Sequence, residues 1–282
     1  MGQVSVFDVI RWLGWTLLVL AALYGAVCAG LYGLQRRIMF VNAGTRPDPV
    51  ALGVTGVEVL EVRTADGLVL NAWFRPPPSG PGVAGGRVAL FLHGNAGTIG
   101  HRAGRIAPFA AAGWGVLLLD WRGYGGNPGN PSEEGLALDA RAAYELLRLR
   151  GYGADRIVIW GESLGTALAV RLGGEVHAAA LVLEAPFTSM VDMAHRQYPF
   201  VPADWLLQDR LESLLRIPRV TAPVLVMHGS EDRLIPPDMG RALAVAARDG
   251  RFVLIEGATH NNLGEFGVVE TGVNFVTRKT RP

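Results

Sequence analysis

Val158-Ile159-Trp160-Gly161-Glu162-Ser163-Leu164-Gly165 is an apolar run that ends in a serine with a glycine two residues away on each side. The apolar residues predict a buried strand. Thr166-Ala167-Leu168-Ala169-Val170-Arg171-Leu172 predicts a helix, closed by Gly173 and Gly174. A strand, a sharp turn and a helix thus follow one another directly, and in such a turn the serine takes a strained backbone conformation that only small neighbours permit. Its hydroxyl is then held clear of the backbone. The glycine spacing is a short pattern in a chain with 37 glycines, so the surrounding chain has to decide its meaning.

Upstream, Val57-Glu58-Val59-Leu60-Glu61-Val62 alternates apolar and charged residues, and Ala65-Asp66-Gly67 turns the chain into Leu68-Val69-Leu70-Asn71-Ala72-Trp73-Phe74, a hairpin signal. The stretch from Pro76 to Gly82 breaks regular structure before a third strand, Val88-Ala89-Leu90-Phe91-Leu92. Strands then alternate with helical patterns, at Gly115 to Leu119, Arg156 to Trp160, Ala179 to Leu183, Val224 to Met227 and Phe252 to Ile255. Continuous Val/Ile/Leu runs of this kind belong to a mostly parallel sheet of about eight strands with helices on both faces.

Such sheets bind ligands at the carboxyl ends of their strands. His93-Gly94-Asn95-Ala96-Gly97 follows the third strand and Asp120-Trp121-Arg122-Gly123-Tyr124-Gly125 the fourth. Ser163 follows the fifth, His228-Gly229-Ser230-Glu231-Asp232 the seventh and Glu256-Gly257-Ala258-Thr259-His260 the last. A serine, an acid and a histidine therefore occur in that chain order, each at a strand end, as a nucleophile elbow and its partners require.

From about Gln35 onward the chain resembles the α/β-hydrolases, and more narrowly the membrane-anchored serine hydrolases related to the ABHD depalmitoylating enzymes and lysophospholipid lipases. The resemblance rests on His93 to Gly97, Asp120 to Gly125, Pro131-Ser132-Glu133-Glu134-Gly135-Leu136, Gly161 to Gly165, Ala185-Pro186-Phe187-Thr188-Ser189-Met190 and His228 to Pro236. It implies the α/β-hydrolase fold, a short cap after the sixth strand and no cofactor or metal. One departure is visible. The family shows His-Asn-Asp near its end, whereas this chain has His260-Asn261-Asn262, which questions how the histidine loop is positioned.

The residue chemistry leads to the same site. A serine hydroxyl is a poor nucleophile at neutral pH, so Ser163 needs a base, and His260 is the candidate. Asp232 would hold the other imidazole N–H, with Glu231 and Glu184 as rival acids. His93 and His228, each before a glycine at a strand end, read as structural, and Asp120 reads as a loop-fixing partner of Arg122. Donors for an oxyanion are expected from the backbone N–H groups of Asn95 and Leu164. No His-Glu-x-x-His or Cys-x-x-Cys zinc spacing, P-loop or complete dinucleotide fingerprint is present.

The N-terminus reads differently. From Trp12 to Leu34 no charged residue occurs, a run long enough to cross a hydrocarbon core of about 30 Å. Trp12, Trp15, Tyr24 and Tyr32 lie where interfacial aromatics are found. A cleaved signal peptide is the alternative, although its apolar region is expected to be only about 7–15 residues long. Residues 1–35 are thus expected to be an anchor (span about 12–34), and residues 36–282 a catalytic domain with a cap at about 187–219. Arg36, Arg37 and Arg46 against Arg11 and the amino terminus favour a cytoplasmic domain by one or two charges, leaving a periplasmic or lumenal one open. Cys28 is the only cysteine, so an intramolecular disulfide is excluded.

Twenty-six basic and 25 acidic residues give a net charge of +1, with no basic stripe for nucleic acid. Tyr198, Phe200, Trp205 and neighbouring leucines make the expected cap apolar, so that Phe200 and Trp205 either set a preference for long acyl chains or serve as a plain hydrophobic cover for the sheet. The reading is a membrane-anchored hydrolase of acyl esters or thioesters. The alternatives are a peptidase on the same fold and an inactive membrane scaffold.

Overall fold

The computed structural model describes residues 5–41, 44–78 and 86–279; the Ser79–Gly82 part of the expected break lies outside them. Helix α1 (Val6–Met39) contains the whole 12–34 span and is about 51 Å long at ~1.5 Å per residue. Ser5 caps it by accepting from the Phe7 N–H. It is long and apolar enough to cross a membrane, with a mean hydropathy of 2.1 over its most apolar stretch, none of which is buried against the protein.

The hairpin forms as the sequence predicts, β1 (Glu58–Arg63) pairing antiparallel with β2 (Val69–Arg75). There follow β3 (Val88–Leu92), α2 (Ile106–Ala111), β4 (Gly115–Leu119), α3 (Glu133–Leu149), β5 (Ile157–Glu162), α4 (Leu164–Gly173) and β6 (Ala180–Glu184). After β6 come three short helices, α5 (Met190–Gln197), α6 (Ala203–Leu206) and α7 (Ser213–Arg216). The chain closes with β7 (Val224–Gly229), α8 (Pro237–Ala246), β8 (Gly250–Ile255) and α9 (Val268–Lys279). The eight strands form one sheet in the order β1-β2-β4-β3-β5-β6-β7-β8. Strands β3 to β8 run parallel to one another, and β2 runs antiparallel to its neighbour β4.

Every residue of β3, β4, β6 and β7 is buried, which is why these strands read as unbroken apolar runs rather than alternating ones. One face packs under α3, α4 and α8, the other under α2 and α9. The edge strands β1 and β8 are partly exposed. Expected strand limits hold to within two residues; β5 and β7 each run two residues farther into the functional loops.

Candidate active site

Ser163 sits between β5 and α4 with φ 49° and ψ −116°, a conformation costly for a residue with a side chain. Its N–H donates to the Glu184 carbonyl at 2.9 Å. The glycines serve close packing rather than turn flexibility. A Cβ on Gly161 would lie 2.6 Å from Thr166 Cα, and one on Gly165 would collide with the Leu92 carbonyl.

Ser163, Asp232 and His260 come from three separate strand ends and meet. His260 Nε2 lies 3.0 Å from Ser163 Oγ, and His260 Nδ1 lies 2.7 Å from Asp232 Oδ2. A carboxylate can only accept, so Nδ1 carries the proton and Nε2 is free to accept from the hydroxyl. Asp232 Oδ1 takes the N–H groups of Leu234 (3.0 Å) and Ile235 (2.9 Å), which fixes the carboxylate plane. Burial pushes the Asp232 carboxyl up, but hydrogen bonds from His228, His260 and the Ile235 N–H outweigh it and hold it well below the usual carboxylate range.

The rivals are engaged elsewhere. Glu184 is fully buried and receives Arg105 at 3.1 and 2.6 Å and the Trp160 indole N–H at 2.6 Å. Glu231 is exposed. His93 and His228 are fully buried, His93 Nδ1 lying 2.7 Å from the Gly94 carbonyl and His228 Nε2 2.8 Å from that of Ile235 and 3.3 Å from Asp232 Oδ2. The expected pairing of Asp120 with Arg122 is corrected. Asp120 does fix a loop, by accepting the Ile99 N–H at 2.8 Å, but Arg122 turns the other way onto Asp139 and Asp66. Asp66 meets the guanidinium with both carboxylate oxygens, while the fully buried Asp139 accepts Nε and Nη2 on Oδ1 and the Arg122 N–H on Oδ2.

Asn262 resolves the departure after His260. Its Oδ1 accepts the Thr259 N–H at 2.7 Å and the Thr259 hydroxyl at 3.0 Å. An aspartate would use the same acceptor, so the amide closes the histidine loop without a charge.

The N–H groups of Asn95 and Leu164 make no hydrogen bond among the described residues. Beside them the sequence reading missed a side-chain clamp. Asn95 Nδ2 donates to the Met39 carbonyl (2.6 Å), and its Oδ1 accepts the Val41 N–H (3.0 Å) and the Tyr124 hydroxyl (2.8 Å). These partners lie far apart in sequence, so no local signal pointed to them.

Ser163 lines two cavities, one apolar and one of mixed lining that carries charged side chains. One, of about 360 Å³, is apolar and is walled by α1, by the segment after β6 and by Phe187, Leu234 and Ile235. The other, of about 890 Å³, carries Arg102, Arg105, Glu162, Glu184, Glu265 and His260. Arg102 bridges Glu162 Oε1 (2.6 Å) and the Ala96 carbonyl, tying the serine turn to the loop after β3. Phe200 and Trp205 line neither cavity; they are 65% and 88% exposed. Neither side chain of the expected apolar cap therefore reaches the cavity, which this segment lines instead with Ala203 and Leu206 of α6 and with Leu207.

A family model described as serine aminopeptidase, S33, matches residues 86–215. An uncharacterised Mycobacterium tuberculosis protein, Rv2307c, is 41% identical over 247 residues, covering 86% of each chain. The chain belongs to the α/β-hydrolase superfamily. The lysophosphatidylserine lipase ABHD12 of Mus musculus is 33% identical over 184 residues, which cover 58% of this α/β-hydrolase and 46% of that lipase. A Pyrococcus furiosus esterase, Pf2001, superimposes with a TM-score of 0.67 at 17% identity, over 85% of this chain and 96% of its own, and so shares the fold. The family match ends before Asp232 and His260. Their place in this α/β-hydrolase follows from the geometry above.

Proposed function

We propose that this α/β-hydrolase is held in a bilayer by α1 and cleaves carboxylic esters or thioesters of acyl chains through an acyl-enzyme. Ser163 is the nucleophile, His260 the general base and then acid, and Asp232 the group that orients the imidazole and stabilises its cation. The observation that carries this reading is that Ser163 lines both an apolar cavity and a larger one that bears charged side chains. An acyl chain fits the first and a polar leaving group the second.

Ser163 Oγ attacks the carbonyl carbon as its proton passes to His260 Nε2. The oxyanion that forms faces the N–H groups of Leu164 and Asn95, each worth about 2.7–4 kcal/mol in such a role. His260 returns the proton to the departing alcohol or thiol, the acyl group stays on Ser163, and a water activated by the same imidazole releases it. Lysophosphatidylserine, the lipid in the name of the mouse relative, has this single-chain ester form. The aminopeptidase description of the family model supports peptide cleavage as the second reading, because the same groups cleave amides.

Detergent-purified full-length protein is assayed on p-nitrophenyl esters from acetyl to palmitoyl, beside Ser163→Ala. The expected result is hydrolysis by the wild type and background rates for the variant. Fluorophosphonate labelling of Ser163 without hydrolysis of any ester moves the assignment to peptides. A folded protein that neither labels nor cleaves is a scaffold.

A further inference from the structure

Helix α1 does more along its last turns than a tether requires. Its less exposed positions from residue 24 onward are Cys28, Leu31, Gln35 and Met39, spaced by three, four and four residues, so they form one face of the helix. That face is turned toward the protein. Leu31, Gln35, Ile38 and Met39 line the apolar cavity that also contains Ser163 and Leu164.

The contact is fixed by polar bonds at several levels. The Tyr24 hydroxyl donates to the Phe200 carbonyl at 2.8 Å. Gln35 Nε2 donates to the Leu206 carbonyl at 3.1 Å, and Gln35 Oε1 accepts the Gln208 N–H at 2.8 Å. Gln35 thereby spends its amide on the backbone beside α6 and shows the cavity only its stem. Arg36 reaches the buried Asp209 at 2.7 and 3.3 Å, and Asp209 also accepts the Glu133 N–H. An anchor that only held the domain at a surface would need none of these bonds, and a helix meant to face lipid on all sides would not carry a glutamine at a buried position.

We propose that α1 forms one wall of the acyl-binding channel, so that the anchor itself sets chain-length selectivity. This rests on the acyl-hydrolase reading above. Met39 lies at the reactive end, where its carbonyl is bonded to Asn95, and Leu31 lies eight residues back along the helix, about 12 Å away. A straight acyl chain runs from the oxyanion donors past Ile38 toward Leu31, along the helix that enters the bilayer. The channel thus takes its substrate class, a single unbranched acyl chain, from the membrane side.

The ordering of Ile38 and Leu31 along the channel supplies the test. Full-length protein in micelles is assayed on acetyl, octanoyl and palmitoyl p-nitrophenyl esters as wild type, Ile38→Trp, Leu31→Trp and Leu34→Trp. Leu34 lies on the same turn but does not line the cavity. Ile38→Trp is expected to lower both the octanoyl-to-acetyl and palmitoyl-to-acetyl ratios of kcat/KM by roughly tenfold or more. Leu31→Trp is expected to lower only the palmitoyl ratio, and Leu34→Trp neither. Fluorophosphonate labelling reports folding of each variant, and Leu31→Phe replaces any Leu31→Trp protein that does not label. Ratios unmoved by Ile38 and Leu31 variants, or moved equally by Leu34→Trp, overturn the inference while leaving the esterase reading intact. A wild type that labels but cleaves no ester overturns that reading and this inference with it.

Discussion

Asn95 Nδ2 is bonded to the carbonyl of Met39 at 2.6 Å, so the last residue of the apolar N-terminal helix holds the loop that carries a candidate oxyanion donor. With the Val41 N–H and the Tyr124 hydroxyl on Oδ1, the side chain is clamped from both ends, and the direction of its own N–H follows. Asn95→Ala keeps that N–H and removes the clamp. The expected result is a kcat lower by about 10- to 100-fold with a smaller change in KM, because a misaimed donor costs transition-state binding. A KM effect alone would assign the side chain to substrate binding instead.

Asp232 and Glu184 are both acids at strand ends, and their substitutions separate the two roles. Asp232→Asn is expected to reduce kcat by ~10⁴-fold, as the imidazole loses its tautomer and its counter-charge, with the chain still folded. Glu184→Gln leaves Arg105 without a full buried partner and is expected to cost about 3 kcal/mol of stability while kcat/KM stays within a few-fold. Denaturant titration and ester hydrolysis on the same preparations read both. Because Asp232 is held well below the usual carboxylate range, the kcat/KM profile is expected to show no step from this carboxylate at mildly acidic pH.

Acid stability has a separate origin in Asp66. The hydrogen bonds from Arg122 and Thr64 hold its carboxyl down at about 2. Its folded value is thus lower than its unfolded value of about 3.9. The stabilisation is complete above the unfolded value and is lost as pH falls from about 4 toward 2. Asp66→Asn is expected to flatten that part of the stability curve and leave the region above pH 5 with a constant offset. Thermal denaturation at stepped pH measures it, and a parallel curve would remove the assignment.

Phe200 and Trp205 are exposed and line neither cavity. In micelles, Phe200→Ala and Trp205→Ala are therefore expected to leave the palmitoyl-to-acetyl ratio within about twofold of wild type. A loss confined to palmitoyl would place them on the acyl path after all.

Much of this arrangement was legible in the chain. Buried parallel strands need apolar residues on both faces, so β3 to β7 announce themselves as continuous runs, and a functional loop must follow each. The Gly161, Ser163, Gly165 spacing carries the turn because contacts with Thr166 and the Leu92 carbonyl leave no room for a Cβ. The chain order of Ser163, Asp232 and His260, and the apolar length of the N-terminal helix, are also properties of sequence alone.

Only the tertiary structure decided which acid meets His260, which way Arg122 turns, which residues of the segment after β6 face the cavity, and that the N-terminal helix closes it. Each is a choice among side chains of equal local character, made by distant backbone. Asp232 is selected by the Leu234 and Ile235 N–H groups that orient it, and Glu184 is removed by Arg105. The helix face is selected by the Gln35 and Arg36 bonds to residues more than 170 positions away. Hydrophobic periodicity reports that a residue is buried or exposed; it does not carry the identity of the partner, which depends on contacts that exist only once the chain has folded.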